Sequence, residues 1–229
     1  PNKNERGIKM NDYITVIGGG LAGCEAAYQI AKRGINVKLY EMKPVKFSPA
    51  HSNTNLAEIV CSNSFKSNLH TNACGLLKEE LRLLDSLLIK VADETAVPAG
   101  QALAVDRGKF SKEITSRIEN VKNVEIIRQE VRKCENKEGI SLKKMAEDGI
   151  VIIATGPLTS DLLSNEISEI IHQEKLHFYD AAAPIIERDS INMQIAFKGN
   201  RYDQEREKDE DIEGWKKRIE NQDASYINL

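Results

Sequence analysis

One stretch constrains this chain more than any other: Tyr13-Ile14-Thr15-Val16-Ile17-Gly18-Gly19-Gly20-Leu21-Ala22-Gly23. A short β-type run enters a G-x-G-x-x-G turn, an alanine-rich helical run follows, and Val37-Lys38-Leu39-Tyr40-Glu41 supplies a second strand ending on an acid. Each part answers a need of a bound dinucleotide. Gly18 lets the chain leave the strand through a tight turn, Gly20 leaves room for a pyrophosphate, and Gly23 lets the helix lie close on the strand. The helix start at Leu21 and Ala22 turns unpaired N–H groups and partial positive charge toward phosphate. Glu41, at the end of the second strand, is placed to accept from ribose hydroxyls. The expectation is an α/β chain with a Rossmann-like domain around a central parallel sheet.

Composition narrows the class. With 229 residues, 41% of them hydrophobic, the chain can bury one large core or one core and part of another. It has no apolar run long enough to cross a membrane. Residues 1–12 are polar and read as a disordered lead-in without a signal-peptide core. The four cysteines, Cys24, Cys61, Cys74 and Cys134, form no C-x-x-C pair and read as reduced thiols of a cytoplasmic protein. A net charge of −3 argues against a strongly basic nucleic-acid protein while leaving room for a local basic patch. Neither a membrane nor DNA is expected as a partner.

Further along, residues 44–66 are irregular and polar, the kind of long connection that carries function more often than not. Residues 73–92 show helical spacing, with Leu76, Leu77, Leu81, Leu84, Leu87 and Leu88 predicted to share one apolar face. Residues 98–106 read as a turn and short strand, Asp106 as the cap of a helix over 110–119, and 124–128 as another strand. The continuous apolar run 149–157 predicts a central strand covered on both faces, feeding a turn at Gly156. Residues 201–222 are dense in mixed charge around Trp215 and read as a solvated helix with one anchor.

Among reactive groups, Cys61 stands in Val60-Cys61-Ser62-Asn63-Ser64-Phe65-Lys66, a setting rich in small polar side chains. At an ordinary thiol pKa only about 3% would be thiolate at neutral pH, so a working nucleophile needs help. A loop-to-helix boundary or Lys66 is the candidate source; the alternative is an unremarkable packed thiol. Cys24 and Cys74 read as packing residues. His51, His70, His172 and His177 lack metal-ligand spacing, and no metal site is expected. Asp106 with Arg107 is either a helix cap beside a surface arginine or a ligand pair.

Taken together, these residues resemble one family, the folate- and FAD-dependent tRNA (uracil-5-)-methyltransferases of bacteria. Matching stretches are Val16 to Gly23, Leu39-Tyr40-Glu41-Met42-Lys43-Pro44, Val60-Cys61-Ser62-Asn63-Ser64, Val97-Pro98-Ala99-Gly100 and Ala104-Val105-Asp106-Arg107. Two more are Ile153-Ala154-Thr155-Gly156-Pro157-Leu158-Thr159-Ser160 and Phe178-Tyr179-Asp180-Ala181-Ala182-Ala183-Pro184-Ile185. The glycine turn is common to many flavoproteins; the Val-Cys-Ser-Asn-Ser and Tyr-Asp-Ala-Ala-Ala-Pro segments are far more specific. The related enzymes that modify the tRNA wobble uridine share the turn but differ around the cysteine.

The resemblance implies an FAD-binding domain over residues 13–187 and the start of a second, inserted substrate or RNA domain over 188–229. It implies FAD at Gly18, Gly19, Gly20, Leu21, Ala22, Gly23, Glu41 and Gly156, with NAD(P)H and methylenetetrahydrofolate as co-substrates and a tRNA T-loop uridine as acceptor. Uracil C5 is a poor nucleophile until a thiolate adds at C6, and the family uses two cysteines for addition and C5 proton removal. Cys61 matches the first, in either role. The second follows a Tyr-hydrophobe-Asn triplet; here Tyr226-Ile227-Asn228 is followed by Leu229, which can do neither. Family members are longer, and residues 204–222 stand where a short loop is expected. The chain therefore reads as an amino-terminal half that binds the adenosine end of FAD without completing the reaction. The alternatives are a flavin oxidoreductase with no RNA substrate, an inactive FAD- or RNA-binding module, and methylation of ribosomal rather than transfer RNA.

Overall fold

The computed structural model describes residues 12–132, 140–172, 187–199, 206–221 and 226–228. In chain order the elements are β1 (Tyr13–Ile17), α1 (Leu21–Lys32), β2 (Asn36–Glu41), β3 (Ser64–Ser67), α2 (Ala73–Leu83), α3 (Leu87–Glu94), β4 (Ala96–Val97) and β5 (Ala102–Val105). They continue with α4 (Arg107–Glu119), β6 (Val124–Arg128), α5 (Leu142–Asp148), β7 (Val151–Ile153), α6 (Asp161–Ile171), β8 (Phe197–Gly199), α7 (Ile212–Glu220) and β9 (Tyr226–Asn228). The chain divides into two compact units, Pro1–Cys61 with Ser111–Ala182 and Ser62–Phe110 with Ala183–Leu229. The lead-in, Cys134, His177, the segment 178–185 and Leu229 lie outside the described residues.

The first unit is built on a parallel sheet in the order β6-β2-β1-β7. Its first βαβ step is the expected one. Tyr13 to Ile17 pairs in register with Asn36 to Tyr40, and Val37 to Glu41 with Val124 to Arg128. Val16, Val37 and Leu39 are buried because β-branched and large apolar side chains fill a sheet covered by a helix. Helix α1 meets the sheet through small residues, Gly23, Cys24, Ala27 and Ala31. Asn123 ties the far end by donating to the Ala31 and Ile35 carbonyls at 2.9 and 2.7 Å. Ile17, Tyr40, Val131, Leu142, Met145 and Leu163 form a further core cluster.

One expectation fails here. The apolar run 149–157 gives only the three-residue β7, whose described partner is β1, and Ile150 and Ile153 are 48% and 44% exposed. It is an edge strand of the described sheet, not a central one. An unbroken apolar run does not distinguish the two, because it speaks to the faces of a strand and not to the number of strands beside it.

In the second unit β3, β5 and β4 form an antiparallel sheet with β5 in the middle and all four of its residues buried. The Phe65 and Phe110 rings pack at 5.6 Å between centroids, tilted by 53°. The helix predicted over 73–92 is broken. Asp85 adopts a left-handed φ of 56°, and Ser86 caps a new helix by accepting the Ile89 N–H. The leucine face holds only in part: Leu87 is buried and Leu81 and Leu88 half-buried, but Leu76, Leu77 and Leu84 are 51%, 56% and 71% exposed, while Gly75 and Lys78 are buried. The Lys78 ammonium reaches inward to donate to the Ser67 and Cys74 carbonyls at 2.7 and 2.8 Å, burying its stem. Asp106 does cap α4, accepting the Lys109 N–H at 3.0 Å, with Arg107 exposed. In the same unit β8 and β9 pair antiparallel, and α7 is capped by Asp211, with Ile219 buried and Trp215 half-buried. No helix among the described residues is long and apolar enough to cross a membrane.

Candidate functional site

A cleft of about 550 Å³ opens in the first unit at the carboxyl ends of β1, β2 and β7, within the size range of small-molecule sites. Gly18 to Ala22 line one side and Ile153 to Ser160, including Gly156, the other. This is the point where strand order reverses in a doubly wound sheet, the general position for ligands in such folds.

The turn is held as its glycines require. Gly18 has φ +104°, donates its N–H to the Tyr40 carbonyl at 2.8 Å, and a Cβ there would stand 2.6 Å from the Ala154 carbonyl oxygen. At Gly23 a Cβ would fall 1.8 Å from the Gly18 carbonyl oxygen, so helix and turn touch backbone to backbone. Gly20 differs: a Cβ there would meet no protein atom within 4 Å. Helix α1 begins on Gly20 with no side-chain cap and no acid in its first turn. Its N-terminal amides and positive dipole end thus stand at a wall of the cleft with unclaimed space beside Gly20. An anionic diphosphate fits that combination.

Glu41 lies in the same cleft and is buried. Its two oxygens accept one backbone N–H each, from Gly19 and from Lys43, both at 2.9 Å. A carboxylate has about four acceptor sites, so capacity remains for hydroxyl donors. The expected acid is in place and its orientation is set by the turn itself.

The connection from 43 to 60 is folded around a buried pair that the sequence did not reveal. Lys43 Nζ meets Glu58 Oε2 at 3.0 Å with both side chains over nine-tenths buried, and donates to the Asn55 carbonyl at 2.7 Å. Glu58 also accepts from the Ser52 N–H and hydroxyl and the Asn53 N–H. Burial alone pushes the Glu58 carboxyl up, but those hydrogen bonds and Lys43 outweigh it and hold it below the ordinary range. Arg128 closes the loop from β6, donating to the Lys43 and Thr54 carbonyls. His51 lines the cleft with Nδ1 2.6 Å from Ser48 Oγ, and burial and then Lys43 hold its pKa down. Nothing in the spacing of these residues announces the arrangement; it arises because a polar loop must satisfy its own backbone when it folds inward.

Cys61 is exposed at the end of this loop, one residue past Val60, which lines the cleft. It precedes the strand β3, so the loop-to-helix boundary that the sequence offered beside Lys66 as a source of activation does not form at this position. Cys24 is inert as expected. It is fully buried, donates to the Gly19 carbonyl at 3.3 Å, and its thiol is pushed up to about 12 by burial and then by Glu41. On the far lip, Thr159 donates to the Gly156 carbonyl and Thr155 meets Thr159 at 2.6 Å, bracing the turn that carries Gly156. Among the described residues no group of His, Cys, Asp and Glu is arranged to hold a metal ion.

A parallel βαβ sheet with a glycine turn, an uncapped helix start and a strand-end acid around one cleft defines a Rossmann-type α/β chain. The chain belongs to the family described as Glucose inhibited division protein A, whose family model matches residues 13–228. It is 56% identical over 193 residues to the methylenetetrahydrofolate--tRNA-(uracil-5-)-methyltransferase TrmFO of Acetivibrio thermocellus, covering 84% of this chain and 42% of that protein. It is 55% identical over 194 residues to the protein of the same name from Lactobacillus gasseri, covering 85% of this chain and 42% of the relative. The Fusobacterium nucleatum protein of that name is 56% identical over 193 residues, with 84% and 42% covered. The chain thus spans about two-fifths of the length of these curated relatives.

Proposed function

We propose that this chain is the FAD-binding part of a cytoplasmic methylenetetrahydrofolate-dependent tRNA (uracil-5-)-methyltransferase acting on a T-loop uridine. The observation that carries this reading is the 56% identity over 193 residues to proteins of that name. The cleft supports it. Gly18, Gly19, Gly20, Leu21 and Ala22 hold the diphosphate against the start of α1, Gly23, expected at the cofactor, serves by letting the helix pack on the turn, Glu41 takes ribose hydroxyls, and Gly156 lies against the cofactor from the other lip. When bound, FAD reduced by NAD(P)H supplies the carrier that brings a one-carbon unit from methylenetetrahydrofolate.

The protein's own chemistry falls to Cys61. A thiolate adding at uracil C6 forms a C–S bond and moves the C5–C6 electron pair toward C5, which then attacks the one-carbon unit. Loss of the C5 proton and of the carrier from the one-carbon unit, with a hydride that the reduced flavin would supply, leaves C5 methylated as the thiolate departs and the C5–C6 double bond is restored. Cys61 serves in one of these two steps, as the adding thiolate or as the group that takes the proton. Residues 188–229, which share a compact unit with Ser62–Phe110, begin the part of the protein that meets RNA.

The test is direct. The purified chain, reconstituted with FAD, is examined for a flavin band. It is then incubated with NADPH, labelled methylenetetrahydrofolate and T-loop or ribosomal stem-loop transcripts. The expected result is a bound flavin, and any label that reaches uridine C5 of the T-loop is abolished by Cys61→Ala. Absence of flavin after reconstitution, or transfer untouched by Cys61→Ala, overturns the reading. Flavin binding without transfer supports the narrower reading that the chain binds cofactor alone.

A further inference from the structure

His51 has no place in the scheme above, yet it lines the same cleft as Gly18 to Gly20 and Glu41. The wall it belongs to is short of side-chain donors. Glu41 and Glu58 are acceptors, and two of the three Lys43 ammonium hydrogens go to the Asn55 carbonyl and to Glu58. A ribose–diphosphate portion is rich in oxygen and needs donors from every side. The imidazole is positioned for that part by Ser48, a buried residue whose Oγ accepts the Ala50 N–H at 3.3 Å and stands 2.6 Å from His51 Nδ1. Where the Ser48 hydroxyl donates to Nδ1, the neutral ring carries its proton on Nε2. The Lys43 charge and burial favour the neutral ring over the imidazolium.

We propose that His51 is a cofactor-contacting residue whose Nε2–H donates to an oxygen of the ribose–diphosphate portion of the bound dinucleotide, with Ser48 setting the tautomer. This rests on the dinucleotide reading of the cleft. The step is binding, not chemistry: no bond is made or broken, and the ring stays neutral throughout. Ser48 acts through His51 and is a positioning residue.

Affinities for FAD and for ADP, which carries the ribose–diphosphate portion alone, are measured by titration calorimetry on the whole chain and three variants. His51→Leu, which keeps bulk and removes the donor, is expected to weaken both ligands about five- to tenfold, the scale of one net hydrogen bond. His51→Gln, which restores an N–H at similar reach, is expected to return both to within about twofold. Ser48→Ala is expected to weaken both about two- to threefold, because either tautomer is then allowed. Melting temperatures of the apo variants report folding separately. If His51→Leu does not fold, the rescue by His51→Gln together with the loss in Ser48→Ala carries the inference. Equal binding by wild type, His51→Leu and Ser48→Ala overturns it, as does a His51→Gln variant that folds but binds no better than His51→Leu. A loss for FAD with none for ADP also overturns it, since the contact would then lie beyond the ribose–diphosphate portion. A wild-type chain that binds neither ligand fails the dinucleotide reading first and takes this inference with it.

Discussion

Glu41 accepts the Gly19 N–H at 2.9 Å, so the acid that ends the second strand holds the middle of the glycine turn. Its other oxygen takes the Lys43 N–H, so a single carboxylate ties the glycine turn to the chain leaving β2. Glu41→Gln replaces one accepting oxygen with an amide that donates, and leaves a buried N–H facing it. We expect a loss of about 1–3 kcal/mol in urea unfolding, together with weaker flavin binding. An unchanged midpoint would show that these N–H groups find other acceptors.

Gly20 and Gly23 separate ligand space from protein space. Gly23→Ala puts a methyl 1.8 Å from the Gly18 carbonyl oxygen and forces α1 away from the turn. The expected result is a loss of several kcal/mol or failure to fold, read by circular dichroism. Gly20→Ala meets no protein atom within 4 Å and should melt within a few degrees of wild type. Its added methyl occupies the expected phosphate path, so FAD affinity should fall at least tenfold. Equal FAD affinity for Gly20→Ala and wild type would place the diphosphate elsewhere.

Acidification should destabilise the fold in two stages. His51 has a folded pKa held below its ordinary 6.5, so the unfolded chain binds the proton more readily. Its contribution is whole above pH 6.5 and is lost as pH falls from there through the folded value. Lys43, Glu58 and Glu41 are the charges that act on it. Glu58, also depressed, contributes above pH 4.5 and loses its share on further acidification. Melting temperature should therefore decline below pH 6.5 and more steeply below pH 4.5. His51→Gln should flatten the upper stage alone; a curve that retains it in that variant assigns the titration to another group.

The thiols should react in an order set by burial. Cys61 is exposed, whereas Cys24 is fully buried with its thiol pushed up to about 12. In native protein a disulfide reagent at pH 8 should modify Cys61 readily and leave Cys24 untouched until denaturant is added. Peptide mapping that finds native Cys24 modified at a comparable rate would contradict the packing of α1 on the turn.

The sequence made the first βαβ unit legible because each of its residues serves a local need: the turn, the close helix, the strand-end acid. The cap at Asp106 and the strand at 124–128 were legible for the same reason. Lys78 was not. Helical periodicity assigned the buried face to leucines, but the sheet beside α2 offers the Ser67 carbonyl, and a long side chain with an ammonium at its tip satisfies it from inside the helix. Ile153 was misplaced because an apolar run speaks to the faces of a strand and not to how many described strands flank it. The Lys43–Glu58 pair and His51 were illegible for a different reason. Their relation is made by the path of a loop without periodicity, where a carboxylate gathers whichever N–H groups the chain brings to it.

The parallel sheet of the first unit is assembled from chain segments at very different distances. β1 and β2 are joined by one helix, whereas Leu39 of β2 meets Ile126 of β6 only after the chain has travelled through residues 42–123. Closing the first pairing costs little chain entropy and closing the second costs more. Folding should therefore run from the glycine turn outward. The half that shapes the phosphate end of the cleft forms first, and the wall completed by β6 and its Arg128 locks afterwards. In amide exchange the β6 protons would be the earlier to open, so the cleft loosens from the side opposite its most demanding glycines.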